Sequence, residues 1–180
     1  MFRSLSVALA LVLSPTPAPS PPANATGAVE DLVLPVEDIV GEVESMDGAE
    51  SESKVGRQVT VAVTSDVLFA LDKWRLTDKA RQRLAKVAGK VRDEGAGGVV
   101  KIEGHTDDQG TDAYNQTLSQ RRAQAVESEM RHLLSAAGVT LEARGYGESR
   151  PKVPNMVGGK PVEKNRARNR RVEIVFTAKQ

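Results

Sequence analysis

The sequence predicts a two-layer α/β (α+β) sandwich, a mixed sheet with helices on one face in the order β-α-β-α-β-β. Three observations carry this expectation. Short β-branched runs are separated by two long amphipathic helical stretches. A glycine break follows each helix, Gly95 to Gly98 after the first and Gly138 after the second. Finally, 39% of the 180 residues are hydrophobic but only 3% are aromatic, so the core must be built from Val, Leu, Ile and Ala.

The alternating, β-branched run Val59-Thr60-Val61-Ala62-Val63 reads as the first strand. Phe69, Leu71 and Trp74 follow in a loop. Thr77 has the chemistry of an N-cap and Asp78 suits the positive end of a helix. Ala80, Leu84, Val87, Ala88 and Val91 then recur at helical spacing until Gly95-Ala96-Gly97-Gly98 ends the run. Val99 to Gly104 is the second strand and His105 to Asp112 a polar loop. A long helix spans Ala113 to Ala136 and closes at Gly138. Leu141 to Tyr146 is the third strand, Gly147 to Glu163 a long loop, and Arg170 to Phe176 the last strand, with Val172, Ile174 and Phe176 on one face. Two crossover helices require parallel pairing somewhere in the sheet. Both are amphipathic, so both should cover the same face. This places the domain at residues 59–180.

The N-terminus has the pattern of an export signal. Arg3 precedes a short apolar run, Leu5 to Leu13, and the Pro-rich stretch Ser14 to Pro22 breaks any helix. Ala23-Asn24-Ala25 is a small-x-small site, so residues 1–25 are expected to be removed. The apolar run falls well short of the ~20 residues a bilayer span needs.

Residues 26–58 carry nine acidic and two basic residues, a net charge of −7. Residues 59–180 carry 22 basic and 15 acidic residues, a net of +7. The near-neutral total of +1 hides this asymmetry. Leu32, Val33, Leu34, Val36, Ile39 and Val40 make the acidic segment more than a plain linker. It either adds a strand, packs on the domain or forms an acidic lead-in.

Several chemistries are excluded or disfavoured. The absence of cysteine removes disulfides, zinc thiolates, a Cys nucleophile and a lipid-anchor Cys. There are two histidines, His105 and His132, and no second His lies near His105 to suggest zinc. Asp107, Gln109 and Thr111 do not supply the alternating oxygens and distal Glu of a calcium loop. Gly145-Tyr146-Gly147-Glu148-Ser149 does not flank Ser as a nucleophile elbow does. No catalytic role, cofactor or metal is therefore expected. Arg166-Ala167-Arg168-Asn169-Arg170-Arg171 is dense in Arg, but it has little aromatic interleaving and runs straight into a strand. The expectation is therefore no nucleic-acid partner.

The long helix holds the sharpest signal. Tyr114, Leu118, Val126 and Met130 form an apolar ridge at i, i+4 spacing, and the residue filling its gap is Arg122. A guanidinium on a core-facing ridge needs a carboxylate partner to offset lost hydration. Asp107, Asp108 and Asp112 crowd the loop just upstream, at the carboxyl end of a strand, where α/β sheets bind ligands. Such a pair either matches a zwitterionic ligand or is an internal salt bridge, and spacing alone does not separate the two.

The segments Gly104-His105-Thr106-Asp107-Asp108-Gln109-Gly110 and Tyr114-Asn115-Gln116-Thr117-Leu118-Ser119-Gln120-Arg121-Arg122-Ala123 resemble the OmpA-like peptidoglycan-binding family. So do Arg144-Gly145-Tyr146-Gly147-Glu148-Ser149 with Pro151, Asn169-Arg170-Arg171-Val172-Glu173-Ile174, and Phe69 with Asp72-Lys73. The motifs stand in family order over residues 59–177. The resemblance implies non-catalytic, non-covalent binding of the diaminopimelate-containing peptide stem of peptidoglycan. Asp107 takes the place of the family's functional aspartate and Arg122 that of its arginine. Thr106, Asn115 and Leu118 match positions that shape the pocket, Gly110 is expected at positive φ, and Arg170 and Arg171 are secondary contacts. Ala70 departs from the acidic or polar residue usual there. Leu34-Pro35-Val36-Glu37-Asp38-Ile39 is similar to the lead-ins of actinobacterial members. The implied setting is exported, in the cell wall, periplasm or outer-membrane layer or outside the cell. The alternative is a secreted protein-interaction adaptor acting through the acidic segment.

Overall fold

A computed structural model of the protein describes residues 41–45 and 48–180; the expected export signal and the apolar lead-in residues Leu32 to Val40 lie outside these residues. A six-stranded mixed sheet has the order β1-β2-β3-β8-β4-β5, with β1 at Gly41–Glu44, β2 at Glu50–Val55, β3 at Gln58–Thr64, β4 at Gly98–Gly104, β5 at Val139–Gly145 and β8 at Arg171–Thr177. All neighbours are antiparallel except β4 and β5. That parallel pair is joined by the helix α3, Asp112–Leu133, while α2, Asp78–Glu94, connects β3 to β4. A parallel pair needs such a crossover.

The helices pack on one side of the sheet. Leu84, Val87 and Val91 of α2 and Val126 and Met130 of α3 meet Val59, Val61, Val63, Val100, Ile102, Val172, Ile174 and Phe176 in one aliphatic cluster. Alternation along the strands supplies this face, as period-2 geometry requires. Thr77 caps α2 by accepting the Ala80 amide N–H at 3.1 Å. Helix α3 sits unusually close to the sheet. A Cβ added at Gly104 would lie 2.3 Å from the Ser119 carbonyl oxygen, and one at Gly145 would lie 2.3 Å from the Gln120 nitrogen. Only glycine at the ends of β4 and β5 permits that approach.

The sheet begins before Val59. Residues of the acidic segment form the β1–β2 hairpin, and β2 pairs with β3 along its length. Its carboxylates face cations of the basic remainder: Glu52 lies 3.0 Å from Lys90 and Glu50 4.0 Å from Arg83, while Glu42 meets Lys152 and Glu44 meets Arg168. The opposed charges of the two segments are thus partly neutralised across the sheet, although exposed pairs contribute little stability each.

Two other stretches differ from expectation. The short helix α1, Ser65–Leu68, occupies the first connection. The predicted long loop contains a small hairpin, β6 at Met156–Val157 with β7 at Lys160–Pro161, and is followed by the helix α4, Glu163–Asn169. Buried Asn169 holds this region: its Oδ1 accepts the amides of Lys152 and Val153, and its Nδ2 donates to the Val153 carbonyl and Asn155 Oδ1. None of these partners has a period that sequence inspection can detect.

Candidate functional site

The loop that leaves β4 turns at the sheet's carboxyl edge. His105 N–H donates to the Arg171 carbonyl and Thr106 N–H to the Gly147 carbonyl, both at 2.9 Å. These bonds continue the strand's alternation, so His105 faces the side away from the helices while Thr106 faces theirs. Asp107 Oδ1 then accepts the Gln109 amide at 3.1 Å, closing an Asx turn. Gly110 adopts φ 108°, a region that disfavours any side chain, and lets the chain enter α3. Thr111 caps α3 by accepting the Tyr114 amide at 3.3 Å.

A cleft of about 380 Å³ opens between this loop, the 66–72 stretch, α3 and α4. Thr106, Asp107, Asn115, Leu118, Arg122 and Arg170 line it, together with Asp66, Ala70, Leu71, Asp72, Gln109, Tyr114 and Glu163. Six of the eight residues singled out in the sequence therefore share one wall. Gly110 shapes the loop from outside the lining. Arg171 is elsewhere: strand alternation turns it to the opposite face, where its Nε donates to Glu173 at 2.6 Å.

The charges pair differently from the expectation. Asp107, 4% exposed, has its Oδ2 at 2.7 Å from Nη1 of Arg170, not of Arg122. Arg170 also reaches Glu163 at 2.9 Å and Asp66 at 3.2 Å. Burial works against its charge, but the hydrogen bonds to Asp66, Asp107 and Glu163 outweigh this and raise its pKa. Asp108 pairs with Arg166 at 2.8 Å. Asp112 lies in the first turn of α3.

Arg122 is 6% exposed. Among the described residues its hydrogen bond is a single one, from Nε to the Lys73 carbonyl at 3.0 Å, and its guanidinium lies 5.2 Å from the centre of the Phe69 ring. Burial pulls its pKa below the ordinary arginine value, with Asp66 and Asp72 offsetting part of the effect. Its Nη groups make no ion pair among the described residues, and the cleft wall also carries the buried Thr106 hydroxyl, which has no hydrogen-bond partner. The arrangement offers the two Nη groups of Arg122 and the Thr106 hydroxyl to an anion.

The cleft holds four carboxylates, Asp66, Asp72, Asp107 and Glu163, against two guanidiniums, an excess of two negative charges. A ligand that carries an ammonium beside the anion taken by Arg122 adds no net negative charge to this excess. Tyr114 Oη donates to Asp72 at 3.3 Å, and Asp72 occupies φ 54°, a left-handed conformation at the rim. Asn115, 1% exposed, ties the wall together by donating to the Asp107 carbonyl at 3.3 Å and to Glu148 at 2.6 Å.

Sequence reasoning did not single out Asp66 and Glu163. They come from α1 and α4, two short elements distant in the chain, and only the fold brings them to Arg170. A second cleft, of about 490 Å³, is lined by Trp74, Arg75, Arg81, Glu129 and their neighbours; none of its lining residues is buried, so it presents no desolvated charge to a ligand. On the other face of the sheet, Glu103, His105 and Glu173 come together in a group able to ligate a metal.

A family model described as the OmpA family matches residues 68–170. Outer membrane porin F of Pseudomonas aeruginosa is 39% identical over 118 residues, which cover 66% of this chain and 32% of the porin. This chain thus matches about a third of that relative's length. The peptidoglycan-associated lipoprotein of the same organism is 34% identical over 130 residues, 72% of this chain and 70% of the lipoprotein. Among solved structures, the cell wall anchor of the T6SS from Pseudomonas aeruginosa superposes with a TM-score of 0.61 at 30% identity, covering 74% of this chain and 90% of that one.

Proposed function

The chain belongs to the OmpA family, and on that premise we propose that it is a non-catalytic envelope protein that binds peptidoglycan through the diaminopimelate of an uncrosslinked peptide stem. The observation that carries this reading is Arg122, a buried guanidinium on the cleft wall with one backbone partner and no ion pair among the described residues. The planar fork of arginine suits a carboxylate bidentately. Diaminopimelate ends its side chain in a carboxylate and an ammonium on one carbon. The carboxylate meets Arg122 and Thr106. The ammonium meets the acidic side of the cleft, where Asp107 is held in place by Arg170 and backed by Asp66 and Asp72.

Support comes from two sources. The peptidoglycan-associated lipoprotein and the cell wall anchor are named for attachment to the wall, and both cover more than two thirds of this chain. The cleft also carries charges of both signs and no paired nucleophile and base. An exported, wall-bound location accords with this role, as does the signal pattern of residues 1–25.

The test is sedimentation of the chain with purified sacculi, together with calorimetric titration of two stem peptides, one with diaminopimelate and one with lysine. Lysine keeps the ammonium and lacks the carboxylate. Preference for the diaminopimelate peptide is expected. Equal binding of both peptides, or no co-sedimentation, overturns the proposal.

A further inference from the structure

We infer that the face of the sheet opposite the helices carries a second site, for a zinc-class divalent cation, formed by His105, Glu173 and Glu103. In the ladder between β4 and β8, Glu103 stands directly opposite Glu173. Like charges in register across two strands repel one another. His105, two residues beyond Glu103 on the same face, brings its Nε2 to 3.9 Å from Glu173 Oε2. One ligand atom from each of the three residues lies within 4.8 Å of the others.

The imidazole is the independent observation. His105 is 2% exposed, and neither Nδ1 nor Nε2 has a hydrogen-bond partner. A buried polar group without a partner is costly, and a protein retains one where something else satisfies it. The ring is fixed by stacking on Tyr146, with centroids 5.5 Å apart, and by the backbone bond from His105 N–H to Arg171.

The surrounding groups orient the ligands. Arg171 Nε takes Oε1 of Glu173 at 2.6 Å, which leaves Oε2 towards the imidazole. Tyr146 Oη donates to Oε1 of Glu103 at 3.4 Å, leaving its second oxygen. Outer partners of this kind hold ligating carboxylates in metal sites. One nitrogen and two carboxylate oxygens match the donor set of zinc, with bonds of ~2.0–2.2 Å and a fourth position for water. Tetrahedral ligands at such bond lengths stand ~3.3 Å apart, so the 3.9 Å between Nε2 and Oε2 has to shorten by roughly half an ångström. Magnesium, which prefers all-oxygen octahedral sites, does not fit.

The site lies behind the cleft, because His105 and Thr106 are adjacent and face opposite sides of the sheet. The full chain, stripped with a chelator, is titrated with zinc chloride by calorimetry. In parallel, ¹⁵N-labelled imidazole spectra are recorded; the protein has two histidines, so the signals are separable. Uptake of one equivalent is expected, with the His105 resonances shifting and those of the exposed His132 unchanged. Glu173→Gln and Glu103→Gln each lose this uptake while sacculus binding persists, and magnesium chloride gives no heat. His105→Gln behaves alike; should it fail to fold, the two glutamine variants and the wild-type spectrum decide. Absence of one-equivalent uptake, uptake indifferent to both variants, or a shift at His132 instead of His105 overturns the inference.

Discussion

Oδ2 of Asp107 lies 2.7 Å from Nη1 of Arg170, and this ion pair spans the cleft wall that Arg122 also lines. Asp107 is almost fully buried while Arg170 keeps part of its side chain in solvent. Arg170 also gathers Asp66 and Glu163. The aspartate is therefore held in place before any ligand arrives, and Arg122 is not part of that arrangement.

Replacing Arg170 should accordingly cost stability. Among the described residues, Arg170→Ala leaves the buried Asp107 carboxylate with the Gln109 amide as its one hydrogen-bond partner. The expected loss lies between the ~1 kcal/mol of an exposed pair and the ~3 kcal/mol of a buried one. Urea unfolding of the variant measures it. An unchanged midpoint would show that Asp107 does not depend on Arg170.

Arg122→Leu should separate binding from stability. The wild-type residue loses hydration and gains one backbone hydrogen bond, and Leu would extend the Leu118–Val126 ridge beside Phe69. The melting temperature is expected to hold or rise slightly. Affinity for a diaminopimelate stem peptide should fall by at least about tenfold, the loss of roughly one charged hydrogen bond. Thermal unfolding beside calorimetry decides, and a large drop in melting temperature would assign Arg122 a structural role.

The approach of α3 to the sheet can be tested at Gly104. Alanine there places its Cβ 2.3 Å from the Ser119 carbonyl, a backbone atom that cannot swing aside. Overpacking of this kind costs about 1–3 kcal/mol. Because α3 carries Asn115, Leu118 and Arg122, the shifted helix should also weaken sacculus binding. Gly104→Ala with wild-type stability would refute the close packing.

Acid should destabilise the protein through His105. Burial above all, helped by the charges of Arg171 and Arg150 and opposed by Glu173, pushes its pKa down from 6.5 to about 4. Glu103, Tyr146 and Arg144 lie on the same face, as do Lys101 and Glu142 in the ladder between β4 and β5. The folded state holds the imidazole neutral, so between pH 6.5 and 4 the unfolded state binds more protons. Stability then falls as pH drops through that window, by about 3 kcal/mol in all. In metal-free buffer, His105→Phe should lose the part of the pH dependence above pH 5. Parallel stability–pH curves for the two proteins would remove His105 from the account.

The β1–β2 hairpin offers a test of where the domain begins. A chain starting at Val59 loses the ladder between β2 and β3 and the ion pairs of Glu50 and Glu52. It should unfold at lower urea than one starting at Gly41. Equal midpoints would return the boundary to residue 59.

By itself the sequence determined the two long helices, the four principal strands and the glycine breaks. These follow from periodicity and capping, which act between residues close in the chain: Thr77 caps Ala80, and Leu84, Val87 and Val91 share one side because helical geometry puts them there. The same locality isolated Arg122, a charge in a gap of an apolar ridge. The tertiary structure alone decided which carboxylate meets which guanidinium. Asp107 and Arg122 are close in sequence, but Arg170, at the end of α4, reaches Asp107 first, because β8 lies next to β4 in the sheet. Asp66 and Glu163 enter the cleft, and Glu103, His105 and Glu173 converge on the opposite face, for the same reason. Strand order and the alternation of side chains across a sheet are set by long-range packing, and no spacing along the chain encodes them.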